Sequence, residues 1–75
     1  MKPLKPREVL SRLEKLGFST VRIRGSHYVL RNEKTGKICV VPFHSDRDIP
    51  VPVLRSILKL AGLSKEEFIG SGKKL

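Results

Sequence analysis

The five residues Arg24-Gly25-Ser26-His27-Tyr28 contain the side chain best suited to chemistry in this chain. Histidine is the only side chain whose unperturbed pKa, ~6.5, lies close enough to neutrality to take up and release protons in the cell. Gly25 permits a turn with positive φ or the close approach of a ligand to the backbone, and Ser26 can tie such a turn together through its hydroxyl. His27 is therefore presented at the start of a strand. Taken alone, a histidine in that setting is more often an ordinary solvated surface group. A second histidine, His44, lies far along the chain. The single cysteine, Cys39, falls within an apolar run and reads as a small core residue, without chemistry of its own. No Cys/His spacing of the zinc-binding kind occurs, so neither metal nor cofactor is expected.

The elements that must position His27 follow from periodicity. Val9, Leu10, Leu13 and Leu16 form one stripe of a helix from about Pro6 to Leu16, with Pro6 suited to the first turn and Gly17 to the end; Arg7, Glu8, Arg12, Glu14 and Lys15 fall on the solvent side. Phe18 to Arg24 alternates as a strand, with Val21 and Ile23 expected inside and Arg22 and Arg24 outside. Gly25-Ser26 makes a short hairpin into a second strand, His27 to Asn32, with Tyr28 and Leu30 inward and His27, Val29 and Arg31 outward. A polar loop from Asn32 to Lys37 leads to a third, nearly continuously apolar strand, Ile38 to Phe43, closed by Pro42. Pro50 and Pro52 are expected to hold the chain extended before a second helix marked by Val53, Leu54, Ile57, Leu58 and Ala61 and ended by Gly62. Arg55 and Lys59 stand one turn apart on its exposed side, a like-charged pair that an anion lying over it would relieve. Ser64-Lys65-Glu66-Glu67 is a capping box opening a short last helix through Phe68 and Ile69.

Helix, three-stranded antiparallel meander, helix and a small extra helix make an α+β fold, a two-layer sandwich with helices on one face of the sheet. The other face is left uncovered, and parity puts His27, Arg22, Arg24 and Arg31 on it. Residues 1–70 read as one domain and 71–75 as a frayed tail.

With 75 residues the chain has no room for a large buried cavity. Sixteen Lys and Arg against seven Asp and Glu give a formal net charge of +9, an excess that points to polyanionic partners, above all nucleic acid. A membrane surface would ask for a basic amphipathic helix with bulky apolar anchors, and none is found. The basic N-terminus is not followed by an apolar signal segment, so a cytoplasmic protein is expected, with a monomer the simplest free form. These features alone reach a basic nucleic-acid binder with a presented histidine.

Further residues carry a resemblance. Leu16-Gly17-Phe18, Arg24-Gly25-Ser26-His27, Val40-Val41-Pro42-Phe43-His44 and the run from Asp48-Ile49-Pro50 through Leu54-Arg55-Ser56-Ile57-Leu58 to Gly62-Leu63-Ser64 resemble, in this order and spacing, the HicA-type toxins of toxin–antitoxin pairs. The resemblance covers nearly the whole chain. It implies a double-stranded-RNA-binding-domain-like α-β-β-β-α fold and an endoribonuclease that cleaves mRNA without a metal. It also implies that a HicB-type antitoxin blocks the site. The family's catalytic histidine follows the glycine-serine pair, here His27. Many members carry a second histidine next to it, where this chain has Tyr28.

On that reading the reaction needs a proton acceptor for the ribose 2′-OH, a donor for the leaving 5′-oxygen and positive charge near the phosphate. His27 is assigned one transfer, most simply as base. Arg22, Arg24 and Arg31 are assigned to the RNA strand and the phosphate charge, with Gly25 and Ser26 at the point of close approach and Arg55 and Lys59 as further backbone contacts. His44 is the obvious candidate for the second transfer, against a plain structural hydrogen-bonding role; a positioned lysine or water could serve instead. The rival reading is a non-catalytic RNA-binding module, which has no need of an imidazole at this hairpin.

Overall fold

The computed structural model describes residues 1–45 and 47–70; the tail at 71–75 lies outside the described residues. The order is α1 (Pro6–Lys15), β1 (Phe18–Arg24), β2 (His27–Asn32), β3 (Ile38–Pro42), α2 (Val51–Ala61) and α3 (Lys65–Gly70). This is the expected α+β sandwich with an extra C-terminal helix. The strands form one antiparallel sheet in the order β1-β2-β3, so β2, which opens on His27, is central.

Residues opposite one another in an antiparallel sheet share a face. Leu30 lies opposite Thr20 and Cys39, and Tyr28 opposite Ile23 and Val41. This face receives the helices: Phe18, Leu30, Cys39 and Val41 join Val9 and Leu13 of α1, Leu54 and Ile57 of α2 and Phe68 of α3 in one buried cluster. Burial pushes the Cys39 thiol up to about 11, in keeping with a core residue. On the other face stand Arg22, Arg24, His27 and Arg31, all exposed, together with Ile38 and Val40, still 50% and 39% exposed. The uncovered face is therefore where parity put it.

Val21 and Ile23 are not inside; they are 59% and 55% exposed. The cause is a β-bulge. Thr20 pairs with Leu30 and Arg22 with the adjacent Val29, leaving Val21 without a partner in the ladder. Ile23 returns to the face of Phe18 and Leu30, but the helix layer does not extend over that end of the hairpin.

Other departures have local causes. The second helix starts at Val51, before Pro52, because a proline in the first turn gives up an N–H that has no helical partner anyway. Val53, expected on its apolar stripe, is 36% exposed. Arg12, read as a solvent-side residue, instead reaches across to α3. Its guanidinium donates to the carbonyls of Phe68 at 3.3 Å and Ile69 at 2.9 Å, lies 5.5 Å from the Phe68 ring centroid and pairs with Glu8 at 2.7 Å. Asn32 is buried at the end of β2: its Nδ2 donates to the Leu16 carbonyl at 3.3 Å and its Oδ1 accepts from the Lys34 amide at 2.9 Å, which ties the second hairpin loop to the end of α1. The capping box forms as read, with Glu67 N–H donating to Ser64 Oγ at 3.0 Å and Ser64 N–H to Glu67 Oε1 at 2.9 Å.

Candidate nucleic-acid interface and active site

The site begins with the turn. Gly25 has φ 57°, the left-handed value that the first position of a two-residue II′-type hairpin requires, and the strands close on the pair Arg24 and His27. A side chain added at Gly25 would meet nothing within 4 Å, so the position is dictated by the backbone, and the space above it is open to a ligand. His27 emerges exposed on the uncovered face.

The chain leaving β3 then comes back to the same turn. His27 lies opposite Pro42, and the Phe43 N–H donates to the Ser26 carbonyl at 2.6 Å. The Phe43 ring stacks on Tyr28, with centroids 5.1 Å apart and planes 29° from parallel. Ser45 has φ 52°, a left-handed value that costs a non-glycine residue roughly 1–2 kcal/mol, and Arg47 N–H donates to the His44 carbonyl at 3.0 Å. Further on, Leu4 and Ile49 exchange backbone hydrogen bonds of 3.3 and 2.7 Å. The segment carrying His44 is thus fastened at both ends. Its ring stands edge-on to that of His27, with centroids 5.8 Å apart and an interplanar angle of 84°. Among the described residues no hydrogen bond engages either imidazole.

The arginines are not equivalent. Arg24 is directly across from His27, and Arg22 is on the same face opposite Val29, one pleat away. Arg31, opposite Ser19 and Ile38, is four residues along β2, ~13 Å from His27 at ~3.3 Å per residue. None of the three is in an ion pair among the described residues. Arg55 and Lys59 lie in the helix layer, where with Met1, Leu63 and Lys65 they edge a shallow hollow; they do not join the histidines. A cleft of about 500 Å³ between the start of α1 and residues 43–45 flanks the site, but neither imidazole lines it. The paired rings stand on open surface, a shape that admits a polymer from either side.

Residues 6–63 match the model of a family described as the HicA toxin of bacterial toxin-antitoxin. The chain belongs to the HicA toxin family. No curated protein matches it. The HicA match spans α1, the whole sheet and α2, and so contains His27, His44 and the arginines; α3 follows it. As a HicA toxin the protein is the toxin of a toxin–antitoxin system. No helix among its described residues is long and apolar enough to cross a membrane.

In this HicA toxin Tyr28 points to the core side, half-buried against Phe43. The second imidazole beside His27 comes instead from His44, 17 positions after it in the sequence. The signal that could have revealed this was the strand register. Once His27 is set opposite Pro42, the residue two beyond Pro42 is returned to the hairpin.

Proposed function

We propose that this toxin is an endoribonuclease that cleaves mRNA, with His27 taking the proton from the ribose 2′-OH. The freed 2′-oxygen attacks the adjacent phosphorus, the bond to the 5′-oxygen breaks, and the products end in a 2′,3′-cyclic phosphate and a 5′-hydroxyl. What carries the reading is an exposed imidazole on an otherwise uncovered sheet face, set directly opposite Arg24 with Arg22 beside it and, among the described residues, no carboxylate paired with either. Those two guanidinium groups offset charge as it builds on the phosphorane, where oriented cations have their largest effect. Arg31 holds the strand farther along, the open turn at Gly25 and Ser26 lets the RNA backbone approach closely, and Arg55 and Lys59 offer a separate basic patch to a longer RNA. A HicB-type antitoxin in the cytoplasm would silence the enzyme by covering the same face.

The test is cleavage of an end-labelled, mostly single-stranded RNA by the wild type and by His27→Ala, both in excess EDTA. Loss of a general base lowers turnover by ~10²–10⁴-fold while binding stays near the wild-type level. If neither protein cuts and both bind RNA equally, the protein is an RNA-binding module and His27 an ordinary surface residue.

A further inference from the structure

We infer that His44 is the second catalytic group, the acid that protonates the leaving 5′-oxygen; this deepens the ribonuclease reading and rests on it. The transesterification moves two protons. One leaves the 2′-OH as the new O–P bond forms, and one must reach the 5′-oxygen as the old P–O bond breaks; no water or other reactant enters. A single neutral imidazole can do the first but has no proton to give at the start. The second must come from another group within hydrogen-bond reach of the same phosphate.

Among the described residues only His44 offers that on this face. Its ring centroid is 5.8 Å from that of His27, so one phosphodiester laid over the end of the hairpin can touch both rings. The T-shaped arrangement keeps the two rings from stacking and leaves them turned in different directions, as removal of a proton at one oxygen and delivery at another require. Neither ring is tied up by a hydrogen bond among the described residues. The position is also fixed from outside the ring. The Phe43 to Ser26 hydrogen bond, the Phe43–Tyr28 stack and the left-handed Ser45 hold the chain on each side of His44. Strain at a non-glycine residue directly after an exposed histidine is itself the kind of feature that gathers at working sites.

The experiment compares two substrates: an RNA with a natural 5′-oxygen at the cleaved linkage, and the same RNA with sulfur bridging at that 5′ position. The thiolate leaves without being protonated. His44→Ala and His44→Gln should cleave the natural linkage ~10²–10⁴-fold more slowly than the wild type and bind it equally well. On the sulfur linkage both should recover to within about tenfold of the wild type, whereas His27→Ala stays slow on both. Wild-type rates for the His44 variants on the natural RNA overturn the assignment, and so does a loss that sulfur does not rescue. Wild-type protein inert on both substrates overturns the ribonuclease reading itself, and the role of His44 with it. His44 is exposed and outside the strands, so folding of the variants is not at risk, which their circular dichroism spectra will verify.

Discussion

Arg24 and Arg31 share a face and a charge, yet their distances from His27 predict different defects on neutralisation. A phosphate in contact with His27 lies ~6 Å from a guanidinium on the residue directly opposite. At that distance a unit charge contributes about 0.7 kcal/mol in water and about 2.8 kcal/mol at an effective dielectric constant near 20. The site is open, so the lower half of that range applies, ~1–1.5 kcal/mol, or about tenfold in rate. Arg31 is ~13 Å away along β2, which leaves about 0.3 kcal/mol before screening and lies beyond the ~8 Å Debye length at physiological salt. Arg24→Gln should therefore slow single-turnover cleavage at saturating protein about tenfold, and Arg31→Gln less than twofold. Affinity should behave otherwise: if Arg31 touches a phosphate, Arg31→Gln flattens the salt dependence of RNA binding by ~0.7 log units per decade of salt. The assay pairs single-turnover kinetics with fluorescence anisotropy across a salt series. An Arg31→Gln cleavage rate that falls as far as that of Arg24→Gln would refute the electrostatic reasoning, as would an unchanged rate for Arg24→Gln.

Two further predictions concern the scaffold. Arg12→Met should destabilise the protein by about 2 kcal/mol, since it removes charge-assisted bonds to two carbonyls of α3; denaturant unfolding measures this, and amide exchange should quicken in α3. An unchanged midpoint would show that α3 docks through Phe68 alone. The Cys39 thiol, pushed from 9.0 up to about 11, holds its proton more tightly in the folded chain than in the unfolded one. Its contribution is therefore complete below about pH 9 and is lost as pH rises toward 11, about 3 kcal/mol at most; stability across that window should fall more steeply for wild type than for Cys39→Ala, and equal slopes in denaturant unfolding would contradict the assignment.

The parts of the fold legible in the sequence are those set by local periodicity. The stripe of Val9, Leu13 and Leu16, the alternation of His27 to Asn32 and the Ser64–Glu67 box are each decided within a few residues, and each forms as read. What depended on distant partners was not legible. Arg12 finds its carbonyls 56 and 57 residues away, and the meeting of His27 with His44 depends on the β2–β3 register. Val21 was misplaced because a bulge has no composition signal here, whereas Ile23 keeps the expected face and is exposed because the helix layer stops short of it. Strict alternation from Phe18 would send Arg22 and Arg24 inward, whereas alternation from Val21 sends Phe18 outward. The chain satisfies both ends by inserting one residue between them.

That inserted residue separates the length of β1 from the direction of its side chains. Val21 is supernumerary: without it, Phe18, Thr20 and Ile23 would fall on the core side of a regular strand and Ser19, Arg22 and Arg24 on the open side, the same two sets as now. Shortening the chain by this one position would leave each arginine opposite its present neighbour. Removing Ile23 or Arg24 instead would turn Arg22 to the core side or force a new defect beside His27. The hairpin thus has one place where evolution or an engineer can change the number of residues without rewriting the surface, and it lies three positions before Arg24, the arginine that faces His27, on the edge strand of the sheet.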